Sequence, residues 1–264
     1  MHSTKKMKIF EFLGKKILNF FAEFGKVVLL FIQILKFLPR FIVDRKLVLE
    51  QMAVVGSDSL PLVILIGTFT GAISALQSTN LFDKFNLVSI ATPFLGSSVA
   101  TVVFTELTPV LLALVIAGRV GGAIAAQIGT MAVTEQIDAL EMMAIDKNRY
   151  LAMPRFLAAI TMLPVLAIFS NVVALLGGFI LTNLKFDFTA FTFFDSVLIY
   201  FSASDIMLGL FKTFVFGGVT ALIGVYVGFS TSGGAEGVGK STVRSFTLSA
   251  AMILILDAVF GYVI

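Results

Sequence analysis

Two acidic residues, Glu106 and Asp257, lie inside long apolar stretches of the sequence. A charged side chain at the centre of a bilayer costs about 2.5 kcal/mol or more, so such residues usually face the protein interior or a water-filled cavity. There they can bind a polar group or serve as a proton or ion site. The alternative for each acid is a purely structural hydrogen bond to a neighbouring helix. The sequence alone leaves both interpretations open.

A second pattern has the form of a phosphate-binding loop. The segment from Gly234 to Ser241 is GAEGVGKS, which fits the pattern G-x-x-x-x-G-K-[ST]. That chemistry requires a strand before the loop, a helix after it and a second, acidic strand for magnesium, and the chain has no such alternating pattern. We therefore expect no nucleotide binding. The glycines are interpreted as a tight cytoplasmic connection between two membrane spans, with Lys240 and Arg244 near anionic headgroups.

The sequence contains few of the residue types that usually act as catalytic nucleophiles or bases. The sequence contains no cysteine, and His2 is its single histidine. Cysteine nucleophiles and thiolate zinc sites are thereby excluded, and a nucleophile paired with a histidine base is not available. We expect no cofactor and no metal, and we do not expect an enzyme. Nucleic acid is not an expected partner, because the basic N-terminal residues are interleaved with Phe and Leu at helical spacing.

Membrane helices must position these side chains. Of the 264 residues, 58% are apolar and 13% charged, with a mean hydropathy of +1.02, whereas soluble domains are about half apolar and about a quarter charged. A soluble enzyme domain and intrinsic disorder are therefore excluded. A single all-α integral membrane domain over residues 1–264 remains. The predicted spans are Leu60–Gln77, one within Leu87–Met131, Phe156–Thr182, Ile206–Phe229 and Ser245–Ile264. Residues 78–86 are predicted to be a loop, and the connection between Asn183 and Asp205 has room for a short surface helix.

The basic residues predict the orientation of these spans. If Leu87–Met131 crosses once, sixteen of the nineteen basic residues are cytoplasmic, and Lys84, Lys185 and Lys212 remain on the far side. If it crosses twice, the split becomes twelve against six, with one charge stranded in lipid. The positive-inside rule therefore favours five spans with the N-terminus in the cytoplasm and the C-terminus on the far side.

The N-terminal 50 residues carry ten of the nineteen basic residues and precede the first span. Between Lys8 and Lys26, polar residues recur every three or four positions, and Phe, Leu and Ile fill the positions between them. This pattern predicts amphipathic helices that lie in the cytoplasmic membrane interface over residues 5–50, followed by a five-span core over residues 54–264.

The segment between the second and third spans predicts a short amphipathic helix. Thr134 is expected to be its N-cap, and acids follow in the first turns, where the helix dipole favours them. The helix is interpreted either as a solvated connector or as a docking helix for a soluble partner. Its apolar face consists of Val133, Ile137, Leu140 and Ala144, and its acidic face of Glu135, Asp138 and Glu141.

The second span contains features that shape a helix. Glu106 and Arg119 are thirteen residues apart, about 20 Å along a helix, so they cannot form an ion pair within one straight helix. Pro109 removes the hydrogen bond to the carbonyl of Thr105, and we expect the helix to bend there. Gly118 and Gly121 allow close helix packing, and Arg119 is expected near the cytoplasmic end of the span.

Several segments resemble the MlaE (YrbE) family of ABC-transporter permeases. The resemblance covers roughly residues 50–264, with order and spacing preserved. Its segments are Glu106–Val110 (ELTPV), Ala117–Gly121 (AGRVG), Ile128–Met131 (IGTM), Thr134–Glu141 (TEQIDALE), Tyr150–Arg155 (YLAMPR), Gly233–Lys240, Ser241–Arg244 (STVR) and Leu256-Asp257.

The resemblance implies a transporter of the bacterial inner membrane with a periplasmic C-terminus. Its expected partners are a second copy of the chain, an ABC ATPase subunit (MlaF-like), a STAS-domain protein (MlaB-like) and an MCE-domain protein (MlaD-like). Such complexes move phospholipids between the inner membrane and a periplasmic MCE-type carrier and maintain outer-membrane lipid asymmetry. ATP hydrolysis is expected in the separate ATPase subunit.

The resemblance also implies roles for particular residues. A lipid-binding cavity between two permeases is expected around Glu106, and the helix after the second span is expected to couple to the ATPase. Relatives often carry an Arg before the acid, where this chain has Thr105. A secondary transporter or channel that uses Glu106 and Asp257 remains the alternative. The expected lipid-binding residues are Phe104, Thr105, Glu106, Leu107, Val110 and Leu111; the coupling residues are Glu135, Gln136, Asp138 and Glu141; the packing residues are Pro109, Gly118, Arg119 and Gly121.

Overall fold

The computed structural model describes residues 2–85, 92–186 and 188–263. Within these ranges the chain is built of helices and their connections, with no strand. Five helical stretches are long and apolar enough to cross a membrane, which confirms the predicted five-span, all-α membrane protein. They are Arg45–Lys84, Leu95–Val133, Asn148–Lys185, Ala203–Phe229 and Gly234–Val263.

We number the helices in chain order. They are α1 (His2–Phe37), α2 (Arg45–Val55), α3 (Leu60–Lys84), α4 (Leu95–Val133), α5 (Gln136–Met142), α6 (Met153–Phe186), α7 (Ala190–Tyr200), α8 (Ala203–Phe229) and α9 (Gly234–Val263). Helix α4 consists of three α-helical segments joined by two π-helical turns, Val103–Leu107 and Ala117–Gly121. A third π turn, Asn148–Ala152, leads into α6.

The first and second spans are present as predicted, but the first ends later than the sequence predicted. Helix α3 begins at Leu60 with a proline in its first turn, as predicted, and continues to Lys84. The predicted loop at 78–86 is therefore wrong for residues 78–84, because helical hydrogen bonding continues after the apolar run ends. The stretch Leu87–Met131 crosses once, as α4, and residues 87–91 of it lie outside the described residues.

The last span is longer than the apolar run that predicted it. Helix α9 begins at Gly234 rather than at Ser245, so the glycine-rich segment belongs to its first two turns. The turn before it is made by Gly233 and Gly234, whose φ angles of 89° and 66° are left-handed. A side chain is strained in that conformation, which is why glycines occupy the turn.

The N-terminal region contains α1, a 3₁₀ turn at Leu38–Ile42 and α2. Helix α2 belongs to the same long helical stretch as the first span, Arg45–Lys84. Its Val48 and Val55 are buried, as are Leu30 and Ile34 of α1. These residues pack against the same core as the spanning helices. Whether α1 lies in the membrane interface stays a prediction.

Helices α3 and α6 approach each other through small residues. A Cβ atom added to Gly71 would lie 1.7 Å from the carbonyl oxygen of Ala174, and one added to Gly67 would lie 2.7 Å from that of Ser170. From the other helix, a Cβ at Gly177 would lie 2.4 Å from the Thr68 carbonyl oxygen. Backbones meet directly along this seam, which is the way small residues join helices in membranes.

The short helix α7 lies between the third and fourth spans, as the sequence suggested. The Thr189 hydroxyl accepts a hydrogen bond from the Thr192 backbone N–H and caps the helix. Helix α7 is not confined to the surface, because Phe193 is fully buried and the Ser196 hydroxyl accepts a hydrogen bond from the backbone N–H of Ser97. It therefore fixes the first turns of α4.

Candidate functional site

Three spanning helices meet at a buried ion-pair cluster. The side chain of Lys212, on α8, is 1% exposed, and its Nζ donates hydrogen bonds to Glu106 Oε1 on α4 (2.9 Å) and Asp257 Oδ1 on α9 (3.0 Å). Glu106 remains 49% exposed and Asp257 21% exposed. The two acids that the sequence marked separately therefore belong to one site.

Lys212 is the residue that sequence reasoning missed. It was counted among the basic residues of the far side, whereas the structure places it inside α8 with its side chain turned into the bundle. The signal was present, because Lys212 lies within the apolar run Ile206–Phe229 and is as exceptional there as the acids are in theirs. Without it, two far-side basic residues remain, Lys84 and Lys185.

The backbone around Glu106 is irregular in a way that positions it. Pro109 has no N–H, and the preceding turn, Val103–Leu107, is π-helical, with the Thr108 N–H donating to the Val103 carbonyl. Helix α8 packs directly on this turn: a Cβ at Gly209 would lie 2.1 Å from the Phe104 carbonyl oxygen. The missing side chain at Gly209 brings α8 close enough for Lys212, one turn later, to reach Glu106.

The expected lipid-binding residues are divided between the protein interior and its surface. Phe104 is buried, and its ring centroid lies 4.9 Å from that of Phe201. Thr105 is partly buried and donates to the Thr101 carbonyl oxygen at 2.8 Å. Glu106 and Leu111 are exposed, and the side chains between them, Leu107 and Val110, are half-buried. The open part of the set is thus an acid beside an apolar surface.

The expected packing residues connect α4 to the α2–α3 junction, to α8 and to α9. Arg119 donates to the hydroxyl of Ser59 and, at 3.5 Å, to the carbonyl oxygen of Val54, and so holds the junction of α2 and α3. The carbonyl of Gly121 accepts a hydrogen bond from Ser245 Oγ of α9 at 3.1 Å. The same glycine lies against Thr220 of α8, and Gly118 lies against the ring of Phe246. Pro109 is buried beside Gly209 of α8.

The predicted acidic helix exists as α5, with a different start. Thr134 does not cap it, because the Thr134 hydroxyl donates to the carbonyl of Thr130 at the end of α4. Glu135 occupies the N-cap position instead, with a left-handed φ of 60°. Ile137 of the predicted apolar face is buried. The side chains of Glu135, Gln136, Asp138 and Glu141 are exposed.

The connection from α5 to α6 is tied to three neighbouring elements. Arg149 forms a two-pronged ion pair with Asp44 at the start of α2, with N–O distances of 2.8 and 2.9 Å. Asn148 donates to Gln33 of α1 at 3.1 Å. Lys147 pairs with Glu141 at 2.8 Å and lies 5.6 Å from the ring centroid of Phe229, at the end of α8.

The phosphate-loop pattern does not form a loop. Gly234 to Ser241 belong to the first turns of α9, with Lys240 and Glu236 paired at 2.6 Å on its surface. Arg244, one turn further, pairs with Glu23 of α1 at 3.0 Å. The backbone N–H groups that cradle a phosphate in a true P-loop are mostly used here in helical hydrogen bonds.

The sequence of the chain matches a known family of membrane permeases. The family model described as Permease MlaE matches residues 48–263 of the chain. The chain belongs to the MlaE permease family. The resemblance found in the sequence is thereby confirmed, and the match includes all three members of the buried cluster and the whole of α5. Helix α1 lies outside the matched range.

Named relatives span nearly the whole chain. A probable ABC transporter permease protein of Rickettsia bellii is 36% identical over 247 residues, which are 92% of each chain. A protein of the same description from Synechocystis is 39% identical over 213 residues, covering 81% of this chain and 80% of that one. The intermembrane phospholipid transport system permease protein MlaE of Haemophilus influenzae is 32% identical over 246 residues, 93% of each. Permease subunits of this family are not themselves catalytic.

Proposed function

We propose that this chain is the membrane-spanning permease of an ABC transporter that moves phospholipids between the bacterial inner membrane and a periplasmic MCE-type carrier. Family membership and the name of the Haemophilus influenzae relative support the class of transporter and of substrate. Such transport would maintain the lipid asymmetry of the outer membrane. Membership of a permease family favours this function over a secondary transporter or channel.

The observation that carries the proposal is the half-open Glu106. Its side chain is 49% exposed although it lies on a spanning helix, and a charge that faces acyl chains costs about 2.5 kcal/mol or more. A second copy of the chain can remove this cost by enclosing the acid in a cavity between two permeases. The neighbouring Leu107, Val110 and Leu111 then supply an apolar wall for acyl chains, and Glu106 forms the polar end.

The exposed side of α5 suits the docking of an ATPase. Glu135, Gln136, Asp138 and Glu141 form an acidic surface, and Met142 and Met143 beside them are 88% and 62% exposed. Polar and apolar groups side by side are typical of a protein interface. We propose that an MlaF-like ATPase binds here, with an MlaB-like STAS protein on the ATPase and an MlaD-like MCE protein on the periplasmic side.

The orientation that accompanies this proposal places α5 and the N-terminus in the cytoplasm and the C-terminus in the periplasm. Sixteen basic residues support it on the cytoplasmic side. With Lys212 inside the bundle, the far side retains two. In this orientation α1 would lie along the cytoplasmic membrane interface, and the positive charges near α5 would meet anionic headgroups.

Site-specific photo-crosslinking tests the lipid cavity. A crosslinking amino acid at position 106 is expected to capture phospholipid in cell membranes, because the position faces the proposed cavity. The matched control is position 112, since Leu112 on the same helix is fully buried and should capture protein only. Glu106→Leu should insert and dimerise normally, because Asp257 still pairs with Lys212, but should carry less lipid. Capture of protein and never of phospholipid at position 106 would overturn the assignment.

A further inference from the structure

The Glu106–Lys212–Asp257 cluster presents carboxylate oxygens, not an ammonium group, to a molecule that approaches it. Lys212 is 1% exposed and its ammonium group contacts the two acids, which are 49% and 21% exposed. Each acid accepts a hydrogen bond from Lys212 through one oxygen. The second oxygens, Glu106 Oε2 and Asp257 Oδ2, have no hydrogen-bond donor among the described residues, so they are free to accept one.

The charges within the cluster do not balance. One lysine faces two carboxylates, which gives the cluster a formal charge of −1. Thr105, the residue before Glu106, adds no charge, and its hydroxyl hydrogen is already used on the Thr101 carbonyl. At membrane depth such an excess charge attracts cations and repels anions more strongly than it would in water. The cluster therefore favours the binding of a positively charged group.

We propose that the cluster selects zwitterionic phospholipids with a primary ammonium headgroup over anionic phospholipids. This inference rests on the proposed function, because it assigns a substrate class to the same site. A primary ammonium has three N–H donors and can form charge-assisted hydrogen bonds to Glu106 Oε2 and Asp257 Oδ2, as Lys212 does to the other two oxygens. An anionic headgroup such as glycerol phosphate carries the phosphate charge without an ammonium group. It therefore adds a net negative charge to a cluster that is already negative.

In a competing account, a bound proton neutralises the excess negative charge of the cluster. If one carboxyl carries a hydrogen, the cluster is neutral and its charge gives no reason to prefer an ammonium headgroup to an anionic one. The two accounts differ in what the purified protein retains from a lipid mixture, and they also differ in the effect of removing one acid. Both differences are measurable.

The experiment uses the full-length protein and two probe lipids. Purified permease is equilibrated with mixed micelles of phosphatidylethanolamine and phosphatidylglycerol with identical acyl chains at equal concentration, and retained lipid is identified by native mass spectrometry. We expect about tenfold enrichment of phosphatidylethanolamine, the ratio that one charge-assisted hydrogen bond supplies. Glu106→Gln should bring the ratio near one, because Asp257 alone then balances Lys212.

Two further variants separate charge from size. Thr105→Arg places a cation beside Glu106 and should shift retention towards phosphatidylglycerol. Thr105→Gln adds a long side chain without charge, so a shift towards phosphatidylglycerol that appears in both variants would be an effect of size and would contradict the charge argument. The unchanged control is Glu236→Gln, which removes an exposed acid of α9 outside the cluster and should keep the preference for phosphatidylethanolamine.

The outcomes distinguish this inference from the function on which it rests. Enrichment in the native chain that disappears in Glu106→Gln supports the inference. Retention of both lipids in equal amounts, or enrichment that persists in Glu106→Gln, overturns the headgroup selection and leaves the lipid-transport function intact. A folded protein that retains no phospholipid at all overturns the proposed function itself.

Discussion

Two groups of ion pairs in this chain differ in burial. In the Glu106–Lys212–Asp257 cluster the cation is 1% exposed and joins three spanning helices. After α5, by contrast, the side chains of Lys147 and Glu141 are 37% and 51% exposed. Removing one partner of a buried pair leaves an uncompensated charge, whereas an exposed pair exchanges its partner for water at little cost. The first group therefore fixes the bundle, whereas the Lys147–Glu141 pair can exchange partners at little cost.

The largest effect is expected from breaking the buried group at its centre. Lys212→Met leaves two carboxylates facing each other without a cation and should lower the free energy of unfolding by about 3–5 kcal/mol. Lys212→Arg, which keeps the charge, should lose clearly less. Denaturant unfolding of the detergent-solubilised protein measures both. A native-like stability of Lys212→Met would contradict the importance of the ion pairs.

A triple variant sharpens the same point. Glu106→Leu, Lys212→Met and Asp257→Leu together remove every charge of the cluster, and replacing a whole buried ionic group by apolar residues is often nearly neutral for stability. The triple variant should therefore regain most of the stability that Lys212→Met loses while retaining little phospholipid. If it stays as unstable as the single variant, the loss arises from packing and not from unpaired charge.

The sequence predicted the helices of this bundle better than the contacts between them. Long apolar runs were enough to place five spans, because hydropathy is a property of each segment. Their ends were less predictable, since α3 and α9 continue through polar residues beyond the apolar run. The same limit applies to α5: its existence followed from periodicity, but the choice between Thr134 and Glu135 as the N-cap depended on how α4 ends.

The site was predictable in its parts and not as a whole. Glu106 and Asp257 were recognised because an acid in an apolar run is conspicuous. Their meeting at Lys212 depends on the π turn at Val103–Leu107 and on the close approach of α8 at Gly209. Both are properties of helix packing, and no pattern within one segment contains them. Lys212 itself followed the same rule as the acids and was overlooked because it was counted as a topology signal.

A smaller effect on the fold, with a large effect on assembly, is expected at the exposed region. Reversing the charge of Glu135 and Asp138 to Lys should detach or uncouple the ATPase while the membrane domain keeps its native unfolding transition, since both side chains are exposed. Co-purification of the ATPase with the tagged permease measures this. Glu236→Lys is the control for a charge reversal at an exposed acid outside α5. If the double Lys variant still transports and still retains its ATPase, α5 is not the docking helix.

The smallest effect is expected at the most exposed ion pair, between Lys240 and Glu236. Lys240 and Glu236 are 76% and 79% exposed, so Lys240→Ala should change the free energy of unfolding by about 0.5 kcal/mol or less. It should also leave nucleotide binding by the isolated permease at background, because the segment is helical. Titration with a fluorescent ATP analogue checks this. Saturable binding that depends on Lys240 would show that the phosphate-loop pattern is functional.

The glycine seam between α3 and α6 has a mechanical consequence. Because backbones touch at Gly71 and Ala174, the half of α6 after Pro164 has little room to shift against α3. The half before Pro164 continues from the π turn that holds Arg149, which pairs with Asp44 at the start of α2, and it packs on α8 at Gly217. Pro164 removes the hydrogen bond between these halves, so bending stiffness is lowest there. Helix α6, about 50 Å long, therefore has its weakest backbone connection at Pro164, between a half that packs on α3 and a half that continues from the π turn of Arg149.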